Sequence, residues 1–399
     1  MKVLIADKLS SAAVSSLEKL GVDVEVRAEL TAESLPEAVD GVGILVVRST
    51  KVTAATIEAA RELSLIIRAG AGFDTIDLAA ACARGIYVAN CPGKNTLAVA
   101  ELAVGLMIAA DRGIADATAS MREGKWMKKE YGNARGLAGR TLGIMGYGAI
   151  GRAVAQRARA LDMKIITWSP LDLTPEQAEA QGVGWCDTPE ELAARADAIT
   201  IHMASTPETK HVIGAKFLAA MKLGAILINT SRGPLVDTDA LRKAIKEKNL
   251  RVGLDVFEGE PAAADKVFAD KELAAMVTCT PHIGASTDQA AEAIAAETVR
   301  IVDVFLKTGN PPGTVNIRPC PAAPCRLVAR HLNRVGVLAG VLDGLRDEGI
   351  NIEEIEDTIF DGAAAGCCSM LLDKKPSDKF IENLRGNPNM LSVMLNVGK

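Results

Sequence analysis

TLGIMGYGAIGR (Thr141–Arg152) decides how the rest of the chain is read. A short apolar run ends at Gly146, glycines recur at Gly148 and Gly151, and apolar residues then follow at helical spacing. Placed after a strand and opening a helix, this spacing is that of a dinucleotide turn. Gly146 permits the tight turn, Gly148 lets backbone N–H groups of the Gly148–Ala149–Ile150 segment approach a pyrophosphate, and Gly151 lets helix and strand pack closely. A carboxylate is then expected near the end of the next strand to grip the adenosine ribose. In KIITWSPLDL (Lys164–Leu173), Ser169 stands there instead. A serine can offer the ribose one hydrogen bond, but it cannot repel a 2′-phosphate. The following residues to Gln181 contain no lysine or arginine to attract that phosphate, and Asp172, three residues on, can swing toward the ribose or repel phosphate. The expected cofactor is NAD.

Working outward, 399 residues suffice for two or three domains. A hydrophobic content of 49% with mean hydropathy +0.17 describes a folded chain, not a disordered one. The net charge of −5 and 3% aromatics leave no basic stripe or stacking platform for nucleic acid. The longest apolar run, Leu97–Ala110, is broken by Glu101 and too short to span a bilayer, so no membrane partner is expected. The N-terminus reads as a strand and turn, not as a signal peptide. Eight cysteines are scattered without a CxxC pair, and the four histidines show no ligand spacing with them. Reduced thiols, no metal site and a cytoplasmic location are expected.

Buried-strand runs KVLIAD, GILVV, LIIRA and IYVAN alternate with helical patterns before residue 91, as in a parallel α/β sheet. A second α/β series starts at Thr141. It predicts a doubly wound domain inserted into the first, with the helix-forming stretch from Thr287 returning the chain. The expected division is a substrate domain (1–96 and 283–311) split by a dinucleotide domain (97–282). A proline-rich linker (312–323) and a small βαββαβ unit (324–399) complete it.

Three segments fall at the ends of later strands, where open α/β sheets bind ligands: NTSRG (Asn229–Gly233), LDVFEGEP (Leu254–Pro261) and CTPHIGAST (Cys279–Thr287). They supply an arginine, a carboxylate and a histidine. Transfer of a hydride from a hydroxy acid needs those three functions: a fork for the substrate carboxylate, a partner for the imidazolium, and an acid/base near neutrality.

With these pieces in place the chain resembles the D-isomer-specific 2-hydroxyacid dehydrogenase family. VVRSTKVT, RAGAGFDTID, NTLAVAELAVGLM, GKW, TLGIMGYGAIGR, NTSRGPLVD, GLDVFEGEP and TPHIGAST stand in family order along nearly the whole chain. The resemblance implies Arg232, Glu260 and His282 as catalytic arginine, histidine partner and acid/base. It places Thr230, Ser231, Asp255 and Gly284 on the nicotinamide side; Asp255 reads either as a carboxamide acceptor or as an anchor for its loop. The amides of Ala69 and Gly70 would hold the substrate carboxylate. Arg48, Arg68 and Lys128 match positions that read a phosphate, Lys128 in some relatives from a neighbouring subunit. That set implies oxidation of D-3-phosphoglycerate to 3-phosphohydroxypyruvate, the first step of L-serine biosynthesis. Alternatives are reduction of hydroxypyruvate or glyoxylate, or a dinucleotide-sensing scaffold on the same fold. The C-terminal unit resembles an ACT domain, with His331, Asn333 and Asn351 matching a polar trio that binds L-serine as effector. Symmetric pairing of such units implies a homo-oligomer, dimer or tetramer.

Overall fold

The computed structural model describes residues 1–169, 171–261, 267–318 and 324–397. Cys320 and the last five residues of the expected linker lie outside the described residues. The chain forms two compact units, Met1–Asn316 and Ile317–Lys399.

The first unit contains two parallel sheets. One has the order β2-β1-β3-β4-β5, built from β1 (Lys2–Ile5), β2 (Asp23–Val26), β3 (Val42–Val47), β4 (Leu65–Arg68) and β5 (Tyr87–Asn90). β3 is VGILVV and buried at every position, as a central strand covered on both faces must be. β2, DVEV, was not legible in the sequence because it is a half-exposed edge strand without an apolar run.

The second sheet has the order β12-β11-β10-β9-β6-β7-β8. Its strands are β6 (Thr141–Met145), β7 (Lys164–Trp168), the two-residue β8 (Gly184–Trp185), β9 (Ala198–Ile201), β10 (Ile226–Asn229), β11 (Arg251–Leu254) and β12 (Thr278–Cys279). The order reverses between β6 and β9, and the turn after β6 opens into that crevice, where doubly wound sheets bind nucleotides.

Two helices link the sheets. Thr96–Arg112 lays Ala103, Leu106 and Met107 on Leu142, Ile144 and Ile228 of the seven-stranded sheet, and Gly113 ends it in a left-handed cap. Asp288–Thr308 packs Ile294, Ile301 and Phe305 against Val3, Ile44 and Ile67 of the five-stranded sheet. Among the described residues no helix is long and apolar enough to cross a membrane.

Residues 313–316, assigned above to the linker, are part of the first unit. Thr314 bridges Ala89 antiparallel, Val315 N–H donates to Val88 O at 2.8 Å, and Asn316 Oδ1 accepts from Val88 N–H at 2.9 Å. The prolines signalled an irregular segment, but β5 is an edge strand with unpaired backbone groups, and this segment satisfies them.

The second unit is antiparallel, in the order β14-β15-β13-β16, from β13 (Cys325–Leu332), β14 (Ile352–Ile359), β15 (Ala365–Leu372) and β16 (Met390–Val397). Its helices, Val337–Asp347 and Asp378–Gly386, cover one face. Gly344 lets them touch: a Cβ there would lie 2.3 Å from Phe380 Cε2. This βαββαβ arrangement fits an ACT-like domain.

Candidate active site

The dinucleotide turn follows β6, and each glycine has a visible reason. A Cβ on Gly146 would lie 2.5 Å from the His202 carbonyl oxygen, and one on Gly151 2.2 Å from the Gly146 carbonyl oxygen. The helix Ala149–Arg159 starts at Gly148 with no side-chain cap, so the Ala149, Ile150 and Gly151 amides have no intrahelical partner and suit a pyrophosphate. Gly151→Ala should therefore destabilise the chain by about 1–3 kcal/mol through overpacking. It should also abolish dinucleotide binding, which a thermal melt with and without NADH would check.

At the end of β10, Thr230 is 7% exposed and its Oγ1 is buried without a partner among the described residues. An orphaned buried hydroxyl at a strand end is left for a partner that the fold itself does not supply. Beside it, Ser231 Oγ donates to Ile201 O at 2.6 Å. Asp255, at the end of β11, is 1% exposed. Its carboxylate accepts from Thr280 Oγ1 at 2.6 Å and from the Ile283 and Gly284 amides, both at 2.8 Å. Of the two roles read for Asp255, the loop anchor is the one whose bonds are formed. That anchor presents His282.

His282 has φ 52°, a left-handed conformation uncommon for a residue with a Cβ. Its amide is held by the Asp255 carbonyl at 2.8 Å, and its Nδ1 lies 2.7 Å from Glu260 Oε2. Glu260 Oε1 accepts from Phe257 N–H at 3.0 Å. Burial works against the Glu260 charge, but the His282 bond, the Phe257 amide and the Arg232 charge outweigh it, holding the carboxyl below the ordinary glutamate range. Glu260 is therefore an ionised orienting group, and Nε2 of His282 is the nitrogen left for chemistry.

A second pair, His211 with Glu258 at 2.6 Å, differs in surroundings: Glu258 also takes the Thr238 amide and hydroxyl and so ties two loops together. His202 is half-buried, and desolvation of its ring pushes it down to about 3, so it stays neutral beneath the glycine turn.

Across from His282 lies the loop after β4. Arg232 Nη2 donates to Asp74 Oδ1 at 3.0 Å, and its Nη1 donates to Ser231 O at 2.7 Å. Gly72 makes room for this guanidinium, since a Cβ there would sit 1.7 Å from Arg232 Nη2. Gly70 does the same for Arg68, whose Nη1 would meet its Cβ at 1.7 Å. The RAGAG loop thus folds two arginines over itself.

The two amides expected to hold an anion are already engaged in the fold. Ala69 N–H donates to Val47 O at 2.7 Å, continuing the parallel ladder, and Gly70 N–H donates to Arg68 O at 2.8 Å in a tight turn. The next two amides, Ala71 and Gly72, have no hydrogen-bond partner among the described residues. Sequence reading alone could not tell which donors the backbone had already engaged.

Burial, and next the neighbouring charge of Arg232, holds the Arg68 guanidinium below its ordinary pKa; Asp74 opposes this and Arg48 adds to it. Arg68 Nε has no hydrogen-bond partner among the described residues. Arg48 lines a cavity of about 290 Å³ with Lys8, Ala69 and Glu292. The backbone around it is fixed by Asp7, whose Oδ2 accepts from the Arg48, Ser49 and Thr50 amides. Lys8, Ala71, Gly72 and Asp74 were missed in the sequence; RAGAGFDTID carried the signal for three of them. Lys128 is exposed, and no hydrogen bond or ion pair ties it to the arginines.

Residues 104–284 match the family model described as D-isomer specific 2-hydroxyacid dehydrogenase, NAD binding domain. The chain is 39% identical to D-3-phosphoglycerate dehydrogenase of Methanocaldococcus jannaschii, over 89% of this chain and 67% of that protein. It is 41% identical to glyoxylate reductase of Thermococcus litoralis, over 79% of this chain and 96% of that protein. The chain belongs to the D-isomer specific 2-hydroxyacid dehydrogenase family. Among solved structures, NAD+-bound 3-phosphoglycerate dehydrogenase of Entamoeba histolytica superposes with a TM-score of 0.67, at 29% identity over 80% of this chain and 99% of that one. This chain spans 48% to 67% of the length of the curated phosphoglycerate dehydrogenases it matches. As a family member it is an NAD-dependent D-2-hydroxyacid dehydrogenase.

In the C-terminal unit the expected effector residues each face a different neighbour. His331 is 2% exposed, with Nδ1 2.9 Å from Leu332 O and Nε2 3.4 Å from Asp357 Oδ1. Asn333 Nδ2 donates to Ala363 O at 2.9 Å, and Asn351 Nδ2 donates to Glu353 Oε1 at 3.1 Å. No hydrogen bond among the described residues joins any two of the three.

Proposed function

We propose that this family member oxidises D-3-phosphoglycerate to 3-phosphohydroxypyruvate. The observation that carries the reading is Arg68: partly buried, beside Arg232 and Arg48, with Asp74 near it but its Nε without a hydrogen-bond partner among the described residues. A desolvated cation among like charges is unfavourable unless an anion joins it. A substrate with a carboxylate at one end and a phosphate at the other supplies two.

NAD, when bound, accepts the hydride from C2. Arg232 and the Ala71 and Gly72 amides hold the carboxylate end, Nε2 of His282 takes the hydroxyl proton, and Glu260 stabilises the imidazolium that results. Arg68 and Arg48 hold the phosphate.

Initial rates on a panel of phosphoglycerate, glycerate, hydroxypyruvate and glyoxylate test this. A higher kcat/KM for glycerate than for phosphoglycerate would overturn it. Similarity to a glyoxylate reductase along 96% of that protein favours the second reading, reduction of an unphosphorylated 2-oxo acid. The same panel separates the two.

For the ACT-like unit we propose an L-serine site completed by pairing of two copies, which would explain why one chain does not gather His331, Asn333 and Asn351. Calorimetry on the full chain is expected to show serine binding, with slower turnover. No heat up to millimolar serine would rule the effector out.

A further inference from the structure

Ser169, at the place where the ribose acid was expected, is 2% exposed. It does not face a ligand. Its Oγ accepts from Tyr147 N–H at 2.7 Å and donates to Asp172 Oδ2 at 2.5 Å. The expectation of a direct serine–ribose bond is corrected by this burial.

The chain beyond Ser169 turns back on itself, with the Asp172 and Leu173 amides both 3.2 Å from the Ser169 carbonyl. Leu173, 7% exposed, pins the turn to the core of the dinucleotide domain. The consequence is a displaced carboxylate. Asp172 Oδ2 also accepts from Tyr147 N–H, at 3.1 Å, inside the glycine turn. The other oxygen, Oδ1, has no partner among the described residues. It is the atom nearest the open side of Gly148, 3.5 Å from where a Cβ would stand.

We infer that Asp172 is the specificity residue for the dinucleotide: it takes the adenosine ribose hydroxyls and excludes a 2′-phosphate, with Ser169 as its positioning residue. Physically, an exposed carboxylate with one oxygen anchored and one free is a fixed acceptor for a diol, and its charge opposes a dianionic phosphate. The strand-end acid has moved three residues along the chain while its carboxylate returns to the turn. The inference concerns the cofactor and holds whichever 2-hydroxy acid is the substrate.

The test is a fluorescence titration of the full chain with NADH and NADPH in the absence of substrate. Wild type is expected to bind NADH at least about tenfold tighter than NADPH. Asp172→Asn should cut that ratio about tenfold, chiefly by tightening NADPH. Ser169→Ala should cut it less, because the Tyr147 amide still holds the carboxylate. Two results overturn the inference: a wild-type preference for NADPH, or an Asp172→Asn ratio within about twofold of wild type. The second covers the case in which both dinucleotides weaken equally, which would mean that the carboxylate only builds the turn. A wrong substrate assignment would leave these binding ratios untouched.

Discussion

Replacing His282 by alanine is expected to lower kcat about 10²–10⁴-fold, the usual worth of a positioned acid/base, while NADH affinity stays within a few-fold of wild type. The split follows from the geometry. The His282 ring is hydrogen-bonded to Glu260 at 2.7 Å, whereas the Tyr147 amide of the glycine turn after β6 bonds to Ser169 and Asp172. Nor does the anchor depend on the ring: the backbone N–H of His282, with those of Ile283 and Gly284, secures the loop to Asp255, so alanine keeps those bonds. Alanine inherits the left-handed φ of 52° that histidine already holds and tolerates somewhat better, so the added cost in stability is small. A melt run beside the assay separates that cost from catalysis. A folded variant with near-normal turnover would mean that another group moves the proton.

The second large effect is expected at Arg68. Arg68→Ala should lower kcat/KM for phosphoglycerate roughly 10–100-fold, the worth of a charge-assisted hydrogen bond of about 1.5–3 kcal/mol, and leave an unphosphorylated substrate nearly unaffected. The same substitution should not destabilise the free enzyme as the loss of a paired arginine would. Burial, Arg232 and Arg48 work against the Arg68 charge while Asp74 supports it, so removing the charge relieves part of what it loses. Equal losses on both substrates would show that Arg68 does not read a phosphate. A large fall in melting temperature would show that its role is structural.

Much of the architecture was legible because it rests on local pattern. Runs such as VGILVV and ILIN, buried on both faces, need no partner to be recognised, and the glycine spacing of GYGAIG is set by steric limits within one strand–turn–helix unit. Arg232, Glu260 and His282 were singled out from segments that follow strands, and the structure places His282 Nδ1 2.7 Å from Glu260 Oε2. The edge strand DVEV and the two-residue β8 were missed because their pairing is supplied by neighbours.

The tertiary structure decided what depends on which donors and acceptors remain free. Sequence named Ala69 and Gly70 as anion-holding amides, but Val47 and the Arg68 carbonyl engage them, and the pair without a hydrogen-bond partner among the described residues is Ala71 and Gly72. It pointed to Ser169 as the ribose contact and left Asp172 with two roles; folding buries the first and returns the second to the turn. It read residues 313–316 as linker, where an unpaired edge at β5 claims them. By itself, then, the sequence determined the sheets and the dinucleotide turn, because periodicity and steric demand act over a few neighbouring residues. Which hydrogen-bonding atoms are left to meet a ligand was decided by contacts between segments distant in the chain, because a donor already engaged in the fold is not available to anything else.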